Sequence, residues 1–195
     1  MKWSILIPAL FFLTETRSQD PLIELTFKDK SNFDITTVFG NKRPRRFYVL
    51  SSTDNWNSYR FYLTEQQMRE SHEHSPYAHT YIFKDTMLNR IIKTSEKDSL
   101  YRRTQIIKPR RLTNVSKEFS YINSFTQAKN GFFFSVTEPI YTSDRLFAFI
   151  DLAIYKKGKE KVDLNDSYFG SVFLVYENVK EKGWVRIKKI DHVLL

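Results

Sequence analysis

The strongest strand signal along the chain is the almost wholly apolar run Leu146–Tyr155 (LFAFIDLAIY), where parity separates two faces. Leu146, Ala148, Ile150, Leu152 and Ile154 form an unbroken apolar face, which belongs against a core. Phe147, Phe149, Asp151, Ala153 and Tyr155 form the other, aromatic with one carboxylate, and this face is expected to be partly covered by helices. Gly131–Val136 (GFFFSV), Ser171–Tyr176 and Trp184–Ile190 are further strands by the same reading, the last two joined by a polar turn with Gly183. The short spacing after Tyr155 favours antiparallel neighbours over parallel crossovers. Within the last strand Trp184, Arg186, Lys188 and Ile190 share one face and Val185 and Ile187 the other. Arg186 or Lys188 is then placed to pair with Asp151 across strands.

The N-terminal half is more polar. Pro21–Phe27 (PLIELTF) fits either a strand or a helix start, while Phe47–Ser51 and Tyr59–Leu63 are short β-type runs separated by turn-rich residues. Thr64 followed by Gln67 has capping-box spacing, which predicts a helix over Glu65–His74 that Pro76 stops. Over Asp85–Lys93, Met87, Leu88, Ile91 and Ile92 fall on one helical face, and Ser95 with Asp98 suits a short turn before Arg102. There is no internal repeat and no linker. The expected architecture is α+β: a C-terminal antiparallel sheet of about four or five strands, with two or three short helices from the middle of the chain packed on it.

The first eighteen residues read differently. Met1 and Lys2 give a positive start, Ser4–Leu13 (SILIPALFFL) is largely apolar, and Thr14–Ser18 is polar, the order of a secretory signal peptide. Thr16 and Ser18 are the small residues a cut before Gln19 requires. Ten helical residues span only about 15 Å, half of the hydrocarbon core, too short for a stable anchor. Residues 1–18 are therefore expected to be an export signal and residues 19–195 a single domain, periplasmic or secreted, with no transmembrane segment after cleavage.

Composition narrows the chemistry. The chain has 195 residues, 31 basic and 22 acidic, a formal charge of +9, and no cysteine. Removing residues 1–18 takes two basic residues and one acidic, which leaves +8. Without cysteine there are no disulfides, thiolate metal sites, Fe–S clusters or thiol nucleophiles. Nucleotide-binding glycine fingerprints and a G-x-S-x-G elbow are absent too. No cofactor or metal is expected, and no residue is assigned to catalysis. His72, His74 and His79 cluster in sequence, but i and i+2 on a helix point apart, so a polar helix end is the simpler reading. Asp151 stands out among Glu138, Asp144, Asp163 and Asp166 because a carboxylate amid aromatics is open to perturbation. Asn114 and Asn165 open glycosylation sequons that matter only in a eukaryotic host.

The densest basic clusters are Lys42–Arg46 (KRPRR) and Lys108–Arg111 (KPRR). Proline within each argues for loops or strand edges. Arginine grips carboxylates and phosphates with paired hydrogen bonds, so Arg43, Arg45, Arg46, Lys108, Arg110 and Arg111 are the candidate binding residues. Lys156–Lys161 (KKGKEK) reads as a plain charged turn. Tyr59–Tyr62 and Phe132–Phe134 set aromatics near basic residues as nucleic-acid platforms do, but aromatic strands more often pack in cores, and an exported protein meets little nucleic acid.

Ser135–Asp144 (SVTEPIYTSD), Ala148 in an apolar strand, Gly170–Val175, and Gly183 and Trp184 ahead of Ile187 also form a pattern. Over roughly residues 131–190 it resembles small exported proteins of unknown function common in Bacteroidetes-type bacteria. The resemblance implies an exported protein and a C-terminal sheet, and brings no activity, cofactor or catalytic residue with it.

These features point to an exported, basic, non-enzymatic module for an anionic polymer, lipid head group or acidic protein. The alternative is a small exported hydrolase that uses carboxylate and histidine side chains. Protein recovered from its own host is expected to begin at Gln19, read from the mass of its N-terminal peptide; an intact Met1 in the cytosol would contradict export.

Overall fold

A computed structural model describes residues 20–34, 47–56, 85–113, 117–127, 131–157 and 168–193. Three α-helices fall among them: α1 (Pro21–Lys28), α2 (Thr86–Ile91) and α3 (Thr94–Ile106). The strands are β1 (Phe47–Leu50), β2 (Phe119–Ile122), β3 (Gly131–Val136), β4 (Ile140–Tyr141), β5 (Phe147–Lys157), β6 (Tyr168–Val179) and β7 (Gly183–Val193). They form one mixed sheet in the order β2-β1-β3-β5-β6-β7, with β4 also paired to β5.

From β3 onward the sheet is antiparallel, as the short connections predict. β1 lies parallel to both β2 and β3, a pairing the sequence pattern does not announce. β3 and β4 follow one another along β5, Val136 opposite Leu152 and Ile140 opposite Phe149.

Pro21–Phe27 resolves to helix. Asp20 accepts a hydrogen bond from the Leu22 amide at 2.9 Å, and Pro21, which has no amide hydrogen to lose, fills the first helical position. Leu22, Ile23 and Phe27 are buried against one sheet face, together with Phe33 from the 3₁₀ turn Lys30–Phe33. There they meet Val49, Phe134, Val136 and the alternating Ala148, Ile150, Leu152 and Ile154 of β5. Each of these side chains larger than Ala148 contributes roughly 1.5–3 kcal/mol by leaving water. Leu146, expected on this face, is 50% exposed because it belongs to the turn ahead of β5.

The opposite face is covered as well. α2 starts at Asp85, whose carboxylate caps the amides of Met87 and Leu88, both at 3.0 Å. α3 is a full thirteen-residue helix where only a turn was expected. Leu88, Ile92 and Leu100 from these helices pack on Phe149, Phe173 and Val175, with Trp56 beside them. Farther along the same face Phe133 stacks on Tyr155, with ring centroids 4.9 Å apart.

Two expectations are corrected here. Asp151 does not pair with Arg186 or Lys188, because β6 lies between β5 and β7 and sets Phe173 opposite Asp151. The predicted faces of β7 also break at a bulge: Tyr176 pairs with Arg186 but Val175 with Lys188, so Ile187 is the extra residue. Arg186 therefore turns toward α1's side, 2.9 Å from the Asp29 carboxylate and hydrogen-bonded to Asn32, while Lys188 pairs with Asp85 on the other side. Asn32 also donates to the buried Tyr176 hydroxyl at 3.3 Å, and Thr26 meets that hydroxyl at 2.9 Å. The polar chain fastens the α1 corner to the sheet.

The Thr64 helix, the Tyr59–Leu63 strand and the N-terminal eighteen residues lie outside the described residues.

Candidate functional site

Because β1 and β3 are parallel neighbours, the segments leaving them emerge at the same end of the sheet. This is the position where open sheets with parallel strands commonly build binding sites. Ser51–Trp56 leaves β1 there, Thr137 and Glu138 leave β3, and Asp54 bridges to Thr137. The segment after α3 joins as a short added edge, with Arg111 bridging to Ser52 and the Arg110 carbonyl accepting from the Thr53 amide at 2.7 Å.

Glu138 is the charged centre of this end, and it is buried. Thr53 donates its hydroxyl to Oε1 at 2.9 Å, and Arg110 forms an ion pair with Oε2. Trp56 donates its indole N–H to the Glu138 carbonyl at 2.6 Å. That hydrogen bond and ion pair to Glu138 hold the Arg110 guanidinium more firmly protonated than usual, against the opposing effect of burial. Both carboxylate oxygens are thus engaged, and the constellation works as a brace between strand ends.

On the other face, Ser135 donates to Asp54 Oδ2 at 2.8 Å, and the Tyr155 hydroxyl reaches the same oxygen at 3.4 Å. Burial first, and then the Asp54 charge, push the Tyr155 phenol up to about 12. A serine nucleophile needs a base such as an imidazole or amine to take its proton. Ser135 and Tyr155 both donate to an Asp54 carboxylate oxygen here, which suits a hydrogen-bonded support under the aromatic face.

A third polar cluster anchors the chain's start. Tyr141 donates to Asp20, with oxygens at 2.7 and 2.8 Å, so one carboxylate caps α1 and ties it to β4. Burial and Asp20 raise the Tyr141 ionisation far beyond its ordinary range. Trp184 lies 5.4 Å from the Tyr141 ring and the Arg145 guanidinium 5.6 Å.

The candidate binding residues separate. Arg110 is spent on Glu138, whereas Lys108 and Arg111 are exposed and unpaired among the described residues. Leu112 is buried on the added edge, while Arg110 and Arg111 are both exposed and only Arg110 reaches the buried Glu138. Arg43, Arg45 and Arg46 lie outside the described residues, and Arg111 sits beyond the carboxyl end of β1. His72, His74, His79, Asp163, Asp166, Asn114 and Asn165 are outside them too. Asp151 is buried, its amide donating to Thr137 Oγ1 at 2.9 Å. Asp144 organises the β4–β5 turn, where hydrogen bonds from Thr142 and the Leu146 amide hold its carboxyl below the usual range. Among the described residues no three His, Asp or Glu side chains are grouped to hold a metal.

Sequence reasoning named Glu138 only as one of five carboxylates, placed Tyr155 on an aromatic strand face, and gave Thr53, Asp54 and Tyr155 no part in a site. Their partners lie 28 to 101 residues away, and only the parallel pairing of β1 with β3 brings them together. No family model, curated protein or solved structure matches the chain, so its own geometry carries the functional reading.

Glu138→Gln is expected to lower stability by about 1.5–3 kcal/mol in urea denaturation. This is below the cost of breaking a fully buried pair, because the Arg110 side chain is 42% exposed and partly screened. Adding Arg110→Gln to that variant should cost less than it does in the parent. Strict additivity of the two changes would show that the pair carries no coupling.

Proposed function

We propose that this chain is an exported, non-enzymatic binding module that holds an anionic partner at the end of the sheet where β1 and β3 finish. The distribution of charge supports this reading. Several cations elsewhere are committed, Arg186 to Asp29, Lys188 to Asp85, Lys189 to the Ser31 and Asp34 carbonyls and Lys30 to Glu118, while Arg90, Lys93, Lys117 and Lys156 are exposed without an ion pair among the described residues. At this end Lys108, Arg111, Arg145, Lys180 and Lys182 are exposed and form no ion pair among the described residues. Their carriers are the added edge, the β4–β5 turn and the β6–β7 turn, all fixed to a rigid sheet. That presentation lowers the entropy a partner must remove on binding. The polar clusters nearby are internally satisfied and support a structural role rather than catalysis.

Export accords with the same geometry. A cut before Gln19 keeps Asp20, and with it both the cap of α1 and the bond to Tyr141.

Replacing Lys108, Arg111, Arg145, Lys180 and Lys182 by Ser should weaken retention on a sulfated matrix by roughly tenfold or more, from about 0.2–1 kcal/mol per exposed ionic contact. Replacing Lys117 and Lys156, at the opposite end, should change little. Unchanged elution of the five-fold variant would remove the proposal, and a loss seen only on replacing Arg43, Arg45 and Arg46 would move the site to the first cluster.

A further inference from the structure

Three large apolar side chains stand exposed among the described residues: Ile106 at 74%, Leu146 at 50% and Val185 at 38%. All three lie at the end of the molecule that carries the five unpaired cations. Leu146 closes the β4–β5 turn, directly after Arg145. Val185 follows the β6–β7 turn that holds Lys180 and Lys182, and pairs with Glu177, itself opposite Phe147. Ile106 ends α3, two residues before Lys108. The helix is pinned beside the β4–β5 turn through Ser143: Glu96 accepts from its amide at 2.8 Å and its hydroxyl at 3.2 Å, and Arg103 donates to that hydroxyl at 2.9 Å.

The opposite end differs. Lys117 and Lys156 are exposed there, but Lys156 lies over the Phe132 and Phe169 rings, and none of the three exposed apolar side chains above lies there. Apolar side chains set among cations add nothing to the grip on a soluble polyanion. They add directly to the grip on a bilayer, where the apolar groups enter the acyl boundary while lysine and arginine meet anionic head groups.

Resting on the anionic-partner reading, we propose that this end is a peripheral docking face for a bilayer rich in anionic phospholipid. Ile106, Leu146 and Val185 insert, and the turn cations supply the electrostatic attraction. Among the described residues no helix is long and apolar enough to cross a membrane, and docking of this kind requires none.

The test is co-sedimentation of protein purified from its own host with vesicles of phosphatidylcholine, with and without phosphatidylglycerol. Binding is expected only with phosphatidylglycerol and should fall as salt rises. The triple variant Ile106→Ser, Leu146→Ser, Val185→Ser should partition roughly tenfold or more weakly, with an unchanged melting temperature and unchanged retention on the sulfated matrix. Lys108→Ser with Arg111→Ser should weaken both vesicle binding and matrix retention. Vesicle binding by the apolar variant equal to that of the parent would overturn the docking face. Matrix retention without any vesicle binding would overturn it while leaving the anionic-partner reading in place. Failure on both surfaces would remove the two together.

Discussion

A sheet covered on both faces can show charge to the outside only at its two ends and along its edges, and most of this structure follows from that constraint. In β5 and β6 the residues from Ala148 to Leu152 and from Ser171 to Tyr176 are buried whichever way they point. α1 and its 3₁₀ turn cover one side, and α2 and α3 cover the other. Neither face can receive a polar partner without giving up one of these layers. Binding chemistry is therefore confined to the turns and to segments added at the strand ends, where the unpaired cations and the exposed aliphatic side chains are found.

The same constraint governs the polar groups that stay inside. A buried carboxylate is costly unless it is paired and hydrogen-bonded. Glu138 meets that requirement with Thr53 and Arg110, contributed by two different segments. Tyr176 meets it with Thr26 and Asn32, and Tyr141 with Asp20. Each network joins parts of the chain far apart in sequence, so local polar needs become long-range fastenings. They also divide the basic residues into those consumed by the fold, such as Arg110 and Arg186, and those such as Arg111 that remain available.

Much of this was legible in the sequence where one periodicity ruled a long segment. The two-residue period of β5 identified both of its faces, and the helical spacing of Leu88 and Ile92 identified α2. Gly131–Val136 was read with its observed bounds. Other features left no such mark. β1 was read within Phe47–Ser51, but β2 was not, and their parallel pairing rests on contacts distant in sequence that no local pattern reveals. α3 buries only Leu100 and Thr104, too few apolar positions to announce thirteen helical residues. Ile187, the extra residue in β7, reverses parity after a bulge whose cause lies in pairing with β6. The site was half visible: a cluster of basic residues could be found by inspection, but which of them reaches Glu138 depends on how the segment Arg110–Leu112 bonds beside Ser51–Thr53.

Hydrogen exchange of the protein with and without phosphatidylglycerol vesicles tests the central claim most directly. The account predicts slowed exchange confined to residues 106–111, 143–146 and 180–185, with amides in the middle of β5 and β6 unchanged. Protection centred on the outer edge of β7 or on the end that carries Lys156 would contradict it.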